Sequence, residues 1–104
     1  MYKRQIQDSS GDWFHAPPIE GTLVVNVADL LSRWTNGLYK STPHRVVNQS
    51  GKERLSIVLA FDLNPETYVN PADVFGENEK SLSDPITCGD YLIWRFGKAF
   101  SYRK

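Results

Sequence analysis

The chain has 104 residues, 40% of them hydrophobic, which bounds it to one soluble domain or part of one. Its 12 basic and 12 acidic residues cancel, leaving no electrostatic footprint for nucleic acid or for an anionic membrane surface. The single cysteine, Cys88, excludes an intrachain disulfide and fits a reducing, cytoplasmic setting, and no apolar run has the length of a membrane span or the form of a secretory signal.

In chain order, Ile6 to Phe14 reads as a strand end and a turn, with Ser9-Ser10-Gly11-Asp12 as turn chemistry and Trp13-Phe14 resuming the extended chain. Trp13 reads as core or rim packing rather than a substrate platform. Pro17-Pro18-Ile19-Glu20-Gly21 is a stiff bend. Thr22 to Val27 reads as a strand apolar on both faces, interrupted by Asn26, a hydrogen-bonded amide. Asp29 to Trp34 reads as a short helical turn with an acid at its start, and Trp34 packs it on a sheet. Asn36-Gly37 marks a turn. Two further strands follow, Tyr39 to Asn48 and Arg54 to Phe61, and Asp62 to Thr67 closes the second. Tyr68 to Pro85 is polar and irregular, of lid-like length, with Leu82 as a tether. Thr87 and Asp90 then suggest a capped helix start, and Leu92, Ile93, Phe96 and Phe100 suggest one buried apolar face. Cys88 reads as a small packing residue, and Ser101 to Lys104 as a polar tail.

The candidate site follows from the hairpin register. Gln49-Ser50-Gly51 suits a three-residue loop with glycine in the left-handed position. Asn48 then faces Lys52, Val46 faces Arg54 and His44 faces Ser56. Alternation puts His44, Arg54 and Ser56 on one face and Arg45 on the other, and a one-residue change of loop length would separate them. Histidine is the commonest metal ligand. An arginine fork with a nearby hydroxyl suits a carboxylate. One face is therefore expected to hold a metal and an organic acid side by side.

Several segments together now carry a resemblance. They are Leu23-Val24-Val25-Asn26-Val27, Asp29-Leu30-Leu31, Trp34-Thr35-Asn36-Gly37, Ser41-Thr42-Pro43-His44-Arg45-Val46, Arg54-Leu55-Ser56-Ile57 and Phe61-Asp62. In order and spacing, from about Ile6 to Tyr102, the chain resembles the C-terminal half of the isopenicillin N synthase-like Fe(II)/2-oxoglutarate-dependent dioxygenases. The resemblance implies a mainly β fold, a partial double-stranded β-helix (jelly roll) with a C-terminal helix. It implies that His44 is the distal histidine of a two-His-one-carboxylate iron site. It also implies that Arg54 and Ser56 bind the far carboxylate of 2-oxoglutarate. The implied partners are a small-molecule substrate and O2, with succinate and CO2 formed as a C–H bond is oxidised. Some members keep the Arg-x-Ser pair without using 2-oxoglutarate.

The chain also departs from the family. No His-x-Asp or His-x-Glu occurs: His15 precedes Ala16 and Pro17, and His44 precedes Arg45 and Val46. Where members carry Ile-Pro-Phe-Phe, this chain has Ile57-Val58-Leu59-Ala60-Phe61. The expectation is an enzyme fragment, inactive alone, whose partner is the missing N-terminal half. The alternative is a non-catalytic jelly-roll module acting by binding or assembly. Residues 1–5, Met-Tyr-Lys-Arg-Gln, match what a sequencing-library transposon adapter would encode, so the expected native stretch is 6–104.

Overall fold

The computed structural model of the chain describes residues 2–78 and 80–101. Its first hairpin is organised by one carboxylate. Asp8 Oδ1 accepts from the Ser10 and Asp12 backbone N–H groups at 2.9 Å each, and Ser10 Oγ donates to the same oxygen at 2.8 Å. Aspartate closes turns this way, and Gly11, at φ 93°, supplies the left-handed residue the reversal needs. The hairpin joins β1 (Tyr2–Gln7) to β2 (Trp13–Ala16). On its other edge β1 pairs antiparallel with β3 (His44–Asn48), giving the order β2-β1-β3.

Register decides which side chains share a face. Ile6 lies opposite both Phe14 and His44, and Gln5 lies opposite both His15 and Arg45. Directly opposed residues project together. One face therefore carries Phe14, Ile6, His44 and Val46, and the other carries Trp13, His15, Gln5 and Arg45. On the second face the Arg45 guanidinium lies 4.0 Å above the Trp13 ring, and its Nε donates to Gln5 Oε1 at 2.8 Å. Trp13 is half-buried beneath it, in keeping with its packing role.

A second unit surrounds the C-terminal helix. The stretch read as irregular from Tyr68 to Pro85 contains β4 (Tyr68–Val69) and the short helix α2 (Ala72–Phe75). β4 pairs with β5 (Ile86–Thr87), which leads directly into α3 (Cys88–Ala99). The helix α1 (Asp29–Trp34) packs against β4 and ends in the turn Asn36-Gly37, both at positive φ. Trp34 thus belongs to an element packed on this ribbon rather than on the larger sheet. Asn36 ties down the following loop: its Nδ2 donates to the Lys80 carbonyl at 3.2 Å, and its Oδ1 accepts from the Leu82 N–H at 2.9 Å. Leu82 is therefore a tether through its backbone, while its side chain is 73% exposed.

Thr87 caps α3 as its sequence suggests, its hydroxyl accepting from the Asp90 N–H at 3.1 Å. The buried face of the helix differs from the expected one. Cys88 and Tyr91 are buried with Val69, Pro71 and Thr35, whereas Ile93, Phe96 and Phe100 are exposed. The ribbon and Pro65 engage only the first turn of the helix, where Gly89 N–H donates to the Pro65 carbonyl at 2.9 Å. Cys88 is the packing residue its sequence context suggested.

Two expected strands are absent among the described residues. Neither Thr22–Val27 nor Arg54–Phe61 joins a ladder. Both carry strand sequence, but a strand exists only with a partner to satisfy its backbone. Among the described residues the fold is a three-stranded sheet, a two-stranded ribbon and a C-terminal helix. The polar tail beyond Ser101 lies outside the described residues, as does Met1 of the stretch read as adapter-derived. Tyr2–Gln5 form part of β1.

Two outcomes follow. Thr87→Ala leaves the Asp90 N–H without its acceptor and costs about 1 kcal/mol, read from the urea-unfolding midpoint. Hydrogen bonds from Ser10, then Asp12, hold the Asp8 carboxyl below its ordinary 3.8. A depressed folded pKa contributes stability above the unfolded value, and that stability is lost as pH falls through the folded pKa. Asp8→Asn therefore weakens the dependence of stability on pH below the ordinary carboxylate value, measured by unfolding across an acid series.

Candidate functional site

His44 opens β3 on the face it shares with Ile6 and Phe14. The segment before it is held to the sheet by the Gln7 N–H, which donates to the Pro43 carbonyl at 2.9 Å. His44 Nδ1 lies 3.1 Å from the Thr42 carbonyl oxygen. A carbonyl only accepts, so Nδ1 is the donor in this contact, and in the neutral ring Nε2 then carries the lone pair. A backbone carbonyl fixing one ring nitrogen so that the other can bind metal is the usual second partner of a ligating histidine. His44 is exposed.

The turn after β3 forms with the expected residues. Asn48 Oδ1 accepts from the Ser50 N–H at 3.1 Å, Asn48 Nδ2 donates to the Lys52 carbonyl at 3.1 Å, and Gly51 takes φ 67°. Beyond Lys52 the expected ladder does not form. His44 lies opposite Ile6 and Val46 opposite Arg4, rather than opposite Ser56 and Arg54. Arg54 and Ser56 are exposed, in a segment outside any sheet. The described structure thus places His44 on the sheet but does not bring the other two beside it through strand pairing. His15 lies on the opposite face, its Nδ1 directed at the Arg4 carbonyl at 3.2 Å. Among the described residues no three His, Cys, Asp or Glu side chains form a group able to hold a metal ion. One imidazole fits a single ligand position of an iron site; the chain's described residues do not supply the remainder.

Two features went unread in the sequence. A groove of about 320 Å³ adjoins the His44 row, lined by Ile6, Phe14, Lys40, Thr42 and Pro43 among others. Alternation along Ile6-Gln7 and Trp13-Phe14 could have found its floor, but the Ile6–His44 pairing is non-local. The other is a cavity of about 280 Å³ between α1, the tethered loop and α3, bordered by Arg33, Asn36, Tyr91 and Trp94. An Arg95–Asp29 ion pair at 3.2 Å joins its two helices, and Arg33 Nη2 donates to the Asp84 carbonyl at 2.8 Å. Burial first, then the Asp29 carboxylate, pushes the Tyr91 phenol above its ordinary range. The Thr42 contact predicts that neutral His44 carries its proton on Nδ1. Nitrogen-15 NMR of the neutral ring should show Nε2 as the unprotonated nitrogen, and the reverse assignment would overturn the Thr42 contact as its determinant.

Comparison with known proteins gives this geometry a family. The model of the 2OG-Fe(II) oxygenase superfamily matches residues 3–62, a span containing His44, Arg54 and Ser56. A homoarginine-6-hydroxylase of Glycine max is 46% identical over 69 residues, covering 66% of this chain and 21% of the relative. A probable iron/ascorbate oxidoreductase of Dictyostelium discoideum is 39% identical over 111 residues, covering 92% of this chain and 30% of the relative. Among solved structures, a full-length Neurospora crassa protein crystallised in complex with alpha-KG superposes with a TM-score of 0.71 at 29% identity, over 92% of this chain and 31% of that one. The chain therefore spans between about a fifth and a third of the length of these proteins. It belongs to the 2OG-Fe(II) oxygenase superfamily.

Proposed function

We propose that this chain is the C-terminal part of a non-haem Fe(II)/2-oxoglutarate-dependent oxygenase that oxidises a small organic substrate with O2. The observation that carries the reading is the Nδ1 contact of His44 with the Thr42 carbonyl, which leaves Nε2 for a metal. In this reading His44 is one iron ligand. Arg54 presents its fork to the far carboxylate of 2-oxoglutarate, and the Ser56 hydroxyl adds a hydrogen bond to the same group. Bound iron and cosubstrate supply the oxidising power, coupling decarboxylation of 2-oxoglutarate to C–H oxidation. This chain's residues hold and orient; they do not donate or remove the reacting hydrogen.

The remaining ligands, a second histidine and a carboxylate, come in this reading from polypeptide outside these 104 residues. The lack of a three-residue metal group among the described residues supports that division, as does the small fraction of each relative that the chain covers. Alone, the chain is inactive. Upstream genomic DNA should encode a His-x-Asp pair in frame. In the longer polypeptide, His44→Ala loses iron. Arg54→Ala raises the KM for 2-oxoglutarate about tenfold to a hundredfold, the worth of charged hydrogen bonds. Succinate formation by the isolated chain with Fe(II), 2-oxoglutarate and O2 would overturn the division of the site.

A further inference from the structure

Arg45 and Trp13 meet across a strand that belongs to neither. Arg45 lies on β3 opposite Gln5 of β1, and Gln5 lies opposite His15 of β2, so β1 runs between the guanidinium's own strand and the indole's. Trp13 is two residues from His15 along β2, opposite Gln7. Adjacent strands are roughly 4.8 Å apart, so the two side chains together close a gap of about two strand spacings. The guanidinium ends 4.0 Å from the centre of the Trp13 ring, and on the way its Nε donates to Gln5 Oε1 at 2.8 Å. A cation over the face of an indole is the strongest arrangement of this kind. The contact therefore joins β2 to β3 over the top of β1, which no ladder bond does.

Its place in the ladder gives that contact a consequence. His44, next to Arg45, forms with Ile6 the last pair of the β1–β3 register. The end of a ladder is where pairing opens first. When the last pair opens, the backbone from Thr42 to His44 is held only by the bond from the Gln7 N–H to the Pro43 carbonyl, and the 3.1 Å contact of Nδ1 with the Thr42 carbonyl loses its fixed geometry. Arg45 sits one pair in from that end, with its guanidinium fastened to a third strand. Alternation sends the side chains of His44 and Arg45 to opposite faces, so the fastening is made behind the imidazole and leaves its face clear. We propose that Arg45 and Trp13 are positioning residues for His44: their contact keeps the end of β3 closed on β1, so that the imidazole holds one orientation. Both lie within 6–104, whereas Gln5 belongs to the stretch read as adapter-derived and is an accessory. The inference rests on the proposed iron site only for what the orientation serves; the strut itself is tested without metal.

Nitrogen-15 NMR of the neutral His44 ring in the full chain reads the orientation through the fraction protonated at Nδ1. Arg45→Met keeps the aliphatic stem and removes the cation; Trp13→Leu keeps an apolar side chain and removes the ring. Each should raise the fraction protonated at Nε2 about twofold to fivefold, the worth of an exposed cation–π contact. The double variant should do no more than either single one, because both remove the same contact. Arg45→Lys keeps a cation and should recover part of the loss. Arg45 is exposed, so its replacement tests the contact in a folded chain even where Trp13→Leu does not fold. Thr87→Ala, which weakens the distant helix cap, should leave the ring unchanged. A ring indifferent to Arg45→Met, additive effects in the double variant, or an equal response to Thr87→Ala would overturn the proposal. In the longer polypeptide, Arg45→Met should speed Fe(II) release by about the same twofold to fivefold. A ring that shifts while iron release does not would support the strut and overturn His44 as a ligand, so the two readings fail separately.

Discussion

Backbone pairing on both edges of β1 is the constraint from which the rest of the candidate site follows. Ile6 at its centre faces Phe14 on one neighbour and His44 on the other. That fixes the side of the sheet from which the imidazole projects and gives it an apolar flank. It also fixes the approach to β3, because the Gln7 N–H holds the Pro43 carbonyl one residue before His44. With Pro43 anchored, the Thr42 carbonyl lies where His44 Nδ1 can donate to it. A backbone bond at the mouth of β3 and the carbonyl two residues before the histidine thus place an acceptor at one nitrogen of the neutral ring. No acidic partner for the ring is needed to explain that choice.

Much of this was legible in the residues because it is local. Ser9 to Asp12 encodes the first reversal, Asn36-Gly37 the end of α1, Gly51 the turn after β3 and Thr87 the cap of α3; each depends on neighbours a few residues away. Cys88 was identifiable as packing because no histidine lies near it in sequence to activate its thiol. That His44 and Arg45 project to opposite faces was legible from alternation; the expected sharing of a face with Arg54 and Ser56 rested on a ladder that does not form. The neighbours of His44 were not, because Phe14 and Ile6 reach it through pairings that span many residues, and neither hairpin announces which strand will lie beside which.

The misread segments share one physical cause. Thr22 to Val27 and Arg54 to Phe61 have the β-branched and aromatic composition of strands, yet neither pairs within the described structure. β-propensity expresses fit to a pleated, half-buried surface and has little force without that surface. The apolar face expected on α3 fails in the same way. Its first turn meets Pro65 and the ribbon and is buried, whereas Ile93 and Phe96 meet no described layer. Pattern states which side of an element wants cover; contacts decide whether it has any.

The segment after Gly51 has two distinct rows, and this bears on how its roles fit together. Arg54, Ser56, Val58, Ala60 and Asp62 alternate with Leu55, Ile57, Leu59 and Phe61. The first row holds polar groups suited to a carboxylate; the second is wholly apolar and suited to burial against another layer.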